Sequence, residues 1–272
     1  MGRSGLRADV GDVVKFDQIR AVVKGIPFIS EENARLLYDL VLEGEHRDCL
    51  ELGFAHGVAS CYIAGAIDEL GSGSLTSVDL LSAADWQVPS IEELLGRLGL
   101  RSLVRIVRTH TGYGWFLRDE IRRCASASGG CEPAYDLCII DGPKNWTIDG
   151  AAFFMADRLL RPGGRMIFDD VDWTYRRSAR GGRLETDGVR HAELSADELD
   201  TPHIREVCEL LVMQHPDYVE FTFTDTDWFL ARKAALGEQL QRRTIEQVYV
   251  MSTAGYLRRS FARVRGVARR RA

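Results

Sequence analysis

The sequence lacks the features that mark secreted proteins and membrane proteins. No stretch reaches the roughly 20 consecutive apolar residues that a membrane-spanning helix needs. The opening segment, MGRSGLRADVGDVVKF, contains no apolar core of signal-peptide length. The six cysteines include no Cys-x-x-Cys pair, so we expect free thiols in a reducing compartment and not a disulfide framework. These absences predict a soluble, cytoplasmic protein.

The chain also lacks an excess of positive charge. Its net charge is −5, so its overall field does not favour nucleic acid, and no nucleic-acid partner is expected. Residues 252–272 are the exception, because they contain seven arginines and no acid. Apolar residues recur there at roughly helical spacing, which predicts a basic helical tail over 236–272: Tyr256, Leu257, Phe261, Val264 and Val267. Such a tail could contact an anionic membrane surface, an acidic partner or a second subunit of a homo-oligomer; a solvated terminus is the alternative.

The order of the predicted elements favours one large α/β domain. With 272 residues and a hydrophobic share of 45%, the chain can bury a core of that size. Predicted strands and helices alternate, which is typical of a parallel sheet covered by helices on both faces. The predicted strands are 48–52, 74–78, 103–107, 135–140 and 165–168. A predicted helix at 202–215 then precedes an antiparallel pair at 218–224 and 228–231. We divide the chain into an N-terminal helical cap (1–45), a main domain (46–235) with a substrate or lid loop at 172–200, and the tail.

A glycine-containing turn follows the first predicted strand. The segment Glu51-Leu52-Gly53-Phe54-Ala55-His56-Gly57 leads into a predicted helix, and its glycines allow the backbone to approach a ligand closely. Ala55 interrupts the Gly-x-Gly-x-x-Gly pattern of pyrophosphate binding. Asp79 ends the second strand, where a carboxylate can accept hydrogen bonds from both ribose hydroxyls. These features predict a nucleoside ligand and leave its identity open.

Later segments narrow the class. The glycine turn resembles the Glu-x-Gly-x-x-x-Gly motif of the class I S-adenosylmethionine-dependent methyltransferases, and 135–142 and 159–170 resemble the fourth and fifth strands of that family. The Leu-Arg-Pro-Gly-Gly turn at 160–164 is fairly specific to it. The resemblance covers about 49–233 and implies a Rossmann-like, doubly wound, mostly parallel seven-stranded sheet with an antiparallel last strand. It also implies that S-adenosyl-L-methionine is held by Glu51, Gly53, Phe54, Ala55, Gly57, Asp79 and Asp141.

Three acids follow the fourth and fifth strands. Asp141 closes the fourth strand, and Asp169 and Asp170 close the fifth, so their side chains should meet at one edge of the sheet. Carboxylates brought together repel one another unless a cation neutralises them, and Mg²⁺ prefers oxygen ligands. The arrangement resembles the metal-dependent O-methyltransferases of the catechol type and of the macrolide and aminocoumarin sugar type. We therefore expect these three acids to bind Mg²⁺; acids that only cap turns are the alternative.

Lys144 lies three residues after Asp141. In catechol-type enzymes a lysine at that offset is the general base, so the resemblance implies that Lys144 and Asp141 are catalytic. A lysine beside a bound cation would have a lowered pKa, which suits a base. In sugar-type enzymes an acid two residues after the metal aspartate is thought to be the base, but Pro143 stands there. A solvated loop lysine is the alternative.

These features predict an enzyme that transfers a methyl group from S-adenosylmethionine to a hydroxyl of a small molecule, such as a sugar moiety or a natural-product intermediate. Three alternatives stay open: a metal-free N- or O-methyltransferase, an NAD-dependent dehydrogenase, and a non-catalytic module that binds cofactor and recruits a partner. Secondary candidates, whose aromatic members could wall an acceptor pocket, are His56, Trp146, Asp149, Asp172, Trp173 and Tyr175.

Overall fold

A seven-stranded sheet forms the centre of the protein. The computed structural model describes residues 15–127 and 129–238. The strands lie in the order β3-β2-β1-β4-β5-β9-β8, and only β9 runs antiparallel to its neighbours. They are β1 (Asp48–Leu52), β2 (Ser74–Leu80), β3 (Val104–Thr109), β4 (Tyr135–Ile140), β5 (Leu160–Phe168), β8 (Tyr218–Phe223) and β9 (Phe229–Lys233). The predicted sheet, including the reversed last strand, is confirmed.

Helices cover both faces of this sheet. One face carries α1 (Lys15–Val23), α2 (Glu31–Glu43), α3 (Val58–Glu69) and α4 (Ile91–Leu98), and the other carries α5 (Tyr113–Arg123) and α6 (Trp146–Leu159). Shorter helices follow β5: α7 (Tyr175–Arg180), α8 (Ala196–Asp200) and α9 (His203–Glu206). Three 3₁₀ turns (Leu81–Asp85, Arg101–Leu103, His191–Glu193) and one π-helical segment (Val207–Val212) complete the elements of the described residues.

The sequence of β4 shows why the core has two layers. Successive side chains of a strand point to opposite faces, and every residue of β4 from Leu137 to Ile140 is apolar and buried. Leu137 and Ile139 join the hydrophobic cluster under α3, while Cys138 and Ile140 join the cluster under α6. An apolar run buried on both sides is typical of a central parallel strand.

Two boundaries differ from the sequence-based prediction. The fifth strand begins at Leu160, which pairs with Tyr135, and not at 165 after the turn. Pro162 and Gly163 (φ +89°) form an irregularity inside the strand, across which the register of β4 and β5 shifts. The helix predicted at 202–215 is also interrupted, because α9 passes into the π-helical segment Val207–Val212.

The segment predicted as a lid or substrate loop has structure of its own. Between α7 and α8 it forms a hairpin of β6 (Glu185–Thr186) and β7 (Val189–Arg190). Its turn is Asp187-Gly188, and both residues have positive φ, +48° and +87°. An Asp-Gly pair favours such a turn because both residues tolerate this backbone conformation, so the hairpin has a sequence signal that periodicity alone does not reveal.

The two N-terminal helices belong to the helical layer on the α3 side of the sheet. Helices α1 and α2 pack against α3, and Ser30 caps α2 through a hydrogen bond from the Asn33 amide, 3.0 Å. The chain divides into two compact units, Met1–Lys233 and Ala234–Ala272. The predicted boundaries of the cap, the main domain and the tail stay predictions. Most of the tail lies outside the described residues.

All six cysteines are free thiols. Within the described part of the chain, no helix is long and apolar enough to cross a membrane.

Replacing Ile63 by alanine tests the core between α3 and the sheet. Ile63 is fully buried, so Ile63→Ala should lower the free energy of unfolding by about 2–5 kcal/mol, through lost apolar burial and a residual cavity. The matched control is Ile148→Ala in α6, where the side chain is 39% exposed and a smaller loss is expected. Urea unfolding of both variants measures the difference; equal losses would contradict the proposed core.

Candidate functional site

A large cavity opens where the parallel strands end. Its volume is about 1490 Å³, and residues that follow β1, β2, β4 and β5 contribute to its wall, among them Gly53, Asp79, Asp141 and Asp169. This is the edge of a doubly wound sheet at which ligands bind, because the loops after parallel strands diverge there. The cavity therefore contains the edge that the sequence analysis selected.

The glycine turn after β1 brings the backbone close to the end of β4. Gly53 has φ +95°, and a Cβ atom placed on it would collide with the carbonyl oxygen of Asp141. Gly57 (φ +85°) begins α3, and a Cβ there would collide with Ile91. Both glycines are therefore required by the conformation and the packing of the turn. Ala55 also has a positive φ, +46°, and lines the cavity.

Phe54 and His56 take different positions from the rest of the turn. The Phe54 ring is buried in the core with the Arg108 guanidinium 5.0 Å from its centroid, and Phe54 does not line the large cavity. The His56 ring stacks on Phe28 at 5.7 Å and contacts Trp86 edge-on at 5.4 Å. Phe28 and Trp86 line the cavity and are half exposed. The sequence does not predict this aromatic pair, because Phe28 and Trp86 come from two loops that are distant in sequence.

Glu51 lies beneath the turn and is completely buried. Its Oε2 accepts hydrogen bonds from Ser60 Oγ (2.5 Å) and Ser77 Oγ (2.6 Å). Its Oε1 has no hydrogen-bond partner among the described residues. Burial raises the pKa of Glu51 to about 7, although both serine hydrogen bonds lower it. A small cavity of about 20 Å³ adjoins the large one here, lined by Glu51, Gly53 and Asp141 among others.

Asp79, near the end of β2, fixes the glycine turn. Its Oδ2 accepts hydrogen bonds from the amides of Phe54 (3.3 Å) and Ala55 (2.9 Å) and from Gln87 Nε2 (2.9 Å). Burial raises the pKa of Asp79, and these hydrogen bonds oppose the shift. A ribose at this carboxylate would therefore compete with Gln87, a residue that the sequence analysis did not select.

The three acids at the ends of β4 and β5 converge. Each of Asp141, Asp169 and Asp170 has a carboxylate oxygen within 4.8 Å of the others. Burial raises the pKa of Asp141 well above its ordinary value and that of Asp169 to about 6, and the charges of the neighbouring acids act in the same direction. A cluster of hard oxygen donors with raised pKa values is suited to a divalent cation. Metal binding by these residues stays a prediction.

Lys144 lies among the three acids. Its Nζ contacts Asp141 Oδ1 and is 3.4 Å from Asp170 Oδ2. Burial lowers the pKa of Lys144, but the charges of Asp141, Asp170 and Asp169 raise it by more, so its pKa lies well above the ordinary value. The residue has φ +59°, a conformation that a non-glycine residue adopts only when its surroundings hold it there. Lys144 is therefore a buried ammonium, not a solvated loop residue.

Of the six secondary candidates, Trp173 alone lines the large cavity, and the other five do not. Tyr175 is buried and donates a hydrogen bond to the Pro143 carbonyl oxygen at 2.6 Å, and Asp149 accepts hydrogen bonds from the Tyr113 hydroxyl and from the Asn145 amide (2.6 Å). The Trp146 amide donates a hydrogen bond to His203 Nδ1, and Asp172 forms an ion pair with Arg205.

Replacing Gly53 by alanine tests the close approach of the turn to β4. The added Cβ would collide with the Asp141 carbonyl, so Gly53→Ala should weaken S-adenosylhomocysteine binding at least about tenfold and lower the stability by more than the roughly 1–2 kcal/mol cost of a left-handed alanine. Gly71→Ala is the matched control, because Gly71 has φ +73° with no atom near the new Cβ. Calorimetric titration and urea unfolding measure both effects; identical behaviour of the two variants would refute the steric argument.

Glu51→Gln should change how stability depends on pH. The pKa of Glu51 is raised to about 7 from 4.5, so between about pH 5 and 7 the folded protein keeps a proton that the unfolded chain has lost. Stability should therefore fall as pH rises through this range, and glutamine should remove that part of the slope. Urea unfolding of the cofactor-free protein between about pH 5 and 8 measures it.

Glu120→Gln is the control for this experiment. Burial raises the pKa of Glu120, but hydrogen bonds from Arg123 and Tyr135 outweigh burial and lower it. Its titration therefore lies below the tested range, and the slope should match the wild type. A wild-type slope in Glu51→Gln would show that Glu51 is already ionised in the folded protein.

Comparison with known proteins gives a consistent class. A family model described as a methyltransferase domain matches residues 50–171. A search of curated proteins gave no significant match. Three solved structures have similar folds at identities too low to show more than the fold: the O-methyltransferase TomG from Streptomyces achromogenes, involved in tomaymycin synthesis and solved with S-adenosylmethionine; cofactor-bound Rv0187 from MTB; and an O-methyltransferase from Bacillus cereus with S-adenosylhomocysteine.

The extent of these similarities is nearly the same in the three cases. TomG is 17% identical, with 81% of this chain and 90% of TomG covered and a TM-score of 0.54. Rv0187 is 20% identical, with coverage of 83% and 92% and a TM-score of 0.54. The Bacillus cereus protein is 18% identical, with coverage of 81% and 90% and a TM-score of 0.51. The three structures therefore share the fold of this chain, and the methyltransferase-domain model matches its residues 50–171, which include β1 to β5.

Proposed function

We propose that the protein transfers the methyl group of S-adenosylmethionine to a hydroxyl of a small molecule, with Mg²⁺ held by Asp141, Asp169 and Asp170. The observation that carries this proposal is the convergence of three carboxylates within 4.8 Å, in the same cavity as the glycine turn. Cofactor and metal sites that share one cavity can bring a methyl donor and an activated oxygen together.

The residues around the glycine turn fit the cofactor. The unpartnered Oε1 of Glu51 can accept a hydrogen bond from the ammonium group of the methionine part, across the small cavity beside Gly53. Asp79 offers its carboxylate to the ribose, and Gly53 and Ala55 expose backbone to the ligand. The absence of a pyrophosphate fingerprint suits this cofactor, which has no phosphate, and disfavours NAD.

The acids fit a divalent cation for an electrostatic reason. Three carboxylates this close repel one another, and the single positive charge of Lys144 does not balance three negative charges. A second cation would complete the balance, and oxygen donors at this spacing suit Mg²⁺. When bound, Mg²⁺ supplies Lewis-acid polarisation of the acceptor hydroxyl, which lowers the pKa of that hydroxyl.

Lys144 is the candidate base. In this chain Pro143 replaces the acid that serves as base in sugar-type enzymes, whereas Lys144 Nζ lies directly beside Asp141. The high pKa of Lys144 comes from the carboxylates around it. Once those charges are neutralised, burial favours the uncharged amine, which can accept the proton that leaves the acceptor hydroxyl.

The acceptor is proposed to be a hydroxylated small molecule, such as a sugar moiety or a natural-product intermediate. The cavity volume of about 1490 Å³ exceeds the usual range for one ligand, roughly 300–1,000 Å³, so it has room for cofactor and acceptor together. TomG, which shares the fold, acts in the synthesis of a natural product. A cytoplasmic location and contacts through the basic tail stay predictions.

A metal-free methyltransferase is the second candidate, and one observation favours it. Lys144 already contacts Asp141 and approaches Asp170, so part of the negative charge is neutralised without any ion. In that case the acids would hold Lys144 in place and the acceptor could be a nitrogen or an oxygen.

Calorimetry distinguishes these possibilities. S-adenosylhomocysteine is titrated first, and Mg²⁺ is then titrated into the complex, with the wild type, Asp169→Ala and the control Asp172→Ala. Asp172 is exposed and paired with Arg205, so its variant should bind both ligands as the wild type does. Asp169→Ala should lose the Mg²⁺ signal while its affinity for S-adenosylhomocysteine changes less than about twofold, because the carboxylate removed contacts the metal and not the cofactor.

The other outcomes have definite meanings. Binding of S-adenosylhomocysteine without Mg²⁺ in the wild type would favour the metal-free enzyme, as would turnover of a hydroxylated acceptor in the presence of a chelator. No binding of S-adenosylhomocysteine would refute the proposed methyl donor.

A further inference from the structure

The hairpin β6–β7 presents a free acid to the cavity. Arg183, Leu184 and the hairpin residues from Glu185 to Gly188 contribute to the cavity wall. Asp187 occupies the first position of the two-residue turn. Within residues 15–127 and 129–238, no group forms a hydrogen bond or an ion pair with its carboxylate. This distinguishes it from Asp79, whose carboxylate is occupied by the glycine turn and Gln87.

Polar contacts hold the hairpin next to its turn. Thr186 is buried, and its Oγ1 lies 3.1 Å from Ser178 Oγ and 3.0 Å from His191 Nε2. Leu184, which precedes β6 at the other end of the hairpin, is 84% exposed. The polar contacts of Thr186 hold the hairpin against α7, so Asp187 is presented from an anchored element rather than from a loose loop.

Asp187 lines the same cavity as Asp79 and Asp170, which belong to the two parts of the site. Burial raises the pKa of its carboxyl; the charges of Lys144 and Arg183 oppose this shift, and those of Asp79 and Asp170 add to it. Its carboxyl therefore interacts electrostatically with the ribose end of the cavity, at Asp79, and with the acid cluster, at Asp170.

The covalent structure of the cofactor indicates what lies between those ends. In S-adenosylmethionine the sulfonium sulfur is bonded to the ribose C5′ and carries the methyl group that the acceptor attacks. With the ribose at Asp79 and the acceptor oxygen at the acid cluster, as in the proposed function on which this inference rests, the sulfur lies between the two. A free carboxylate on the wall of this cavity, such as that of Asp187, would be attracted to the positive charge of the sulfonium.

We propose that Asp187 contacts the sulfonium charge of bound S-adenosylmethionine, so that the β6–β7 hairpin distinguishes the methyl donor from the spent cofactor. In the reaction the methyl group leaves sulfur for the acceptor oxygen, the bonding pair stays on sulfur as a lone pair, and the hydroxyl proton passes to the base. S-adenosylhomocysteine is therefore a neutral thioether at this position. The attraction for Asp187 is lost when transfer is complete, which favours release of the product.

The proposal predicts a selective loss of affinity. Asp187→Asn should weaken binding of S-adenosylmethionine about five- to tenfold, as expected for one ion pair in a partly solvated cavity. It should weaken S-adenosylhomocysteine less than about twofold. Sinefungin, which carries an ammonium group in place of the sulfonium, should behave like S-adenosylmethionine. Asparagine is suited to the turn because it tolerates a positive φ, so the hairpin should be kept.

Glu193→Gln is the matched control. It removes one negative charge from the 3₁₀ turn that follows the hairpin, but Glu193 pairs with Arg190 at 3.5 Å and does not line the cavity. Its affinity for all three ligands should follow the wild type. Calorimetric titration of the wild type and both variants measures nine affinities at low salt and the same nine at high salt, and the selective loss should shrink at high salt.

Two results would overturn the proposal. Equal weakening of the charged and neutral ligands would show that Asp187 shapes the cavity without sensing charge, and unchanged affinities would show that it does not contact the cofactor. Failure of the wild type to bind S-adenosylhomocysteine would refute the proposed function instead, so the two failures are distinguishable.

Discussion

Repulsion among Asp141, Asp169 and Asp170 is the interaction on which the rest of the site depends. The parallel order of β4 and β5 forces their following residues together, so the acids cannot separate without breaking the sheet. The buried Lys144, held at φ +59°, partly neutralises this charge, because its ammonium contacts Asp141 and Asp170. The acids keep this lysine charged, and a second cation bound to them, as proposed, would weaken that effect. Proton transfer and cation binding would then be linked.

The cofactor side of the cavity is tied to this cluster through backbone contacts. The Asp141 amide donates to the Leu52 carbonyl at 2.8 Å, and the Asp141 carbonyl lies where a Gly53 side chain would be. Asp141 therefore supplies one of the three carboxylates through its side chain and packs against the glycine turn through its backbone. A change that moves one of these two strand ends should move the other, so the proposed cofactor site and the proposed metal site would keep a fixed separation.

The sequence was informative wherever a local pattern determines the structure. Apolar runs located β1 and β4, and the rule that parallel strands end at one edge predicted that Asp141 and Asp169 would meet. It was not informative where partners are distant in sequence. Ser60 and Ser77 bind Glu51 only because α3 and β2 fold over it, and Phe28 reaches His56 from another loop. Such contacts depend on tertiary packing, which no periodicity records.

The segment after β5 acts on the site from two directions. Tyr175 donates to the Pro143 carbonyl, and His203 Nδ1 accepts from the Trp146 amide, so both sides of Lys144 are held by this segment. The Nε2 atom of His203 lies 2.8 Å from the Glu198 carbonyl oxygen. A carbonyl oxygen only accepts, so the proton is on Nε2, and Nδ1 can accept the hydrogen bond from the Trp146 amide. Most of the segment is therefore scaffold for the loop that carries the candidate base. The hairpin turn at Asp187 lines the cavity with a carboxylate that has no such bond among the described residues, and at this point the segment can respond to what the cavity contains.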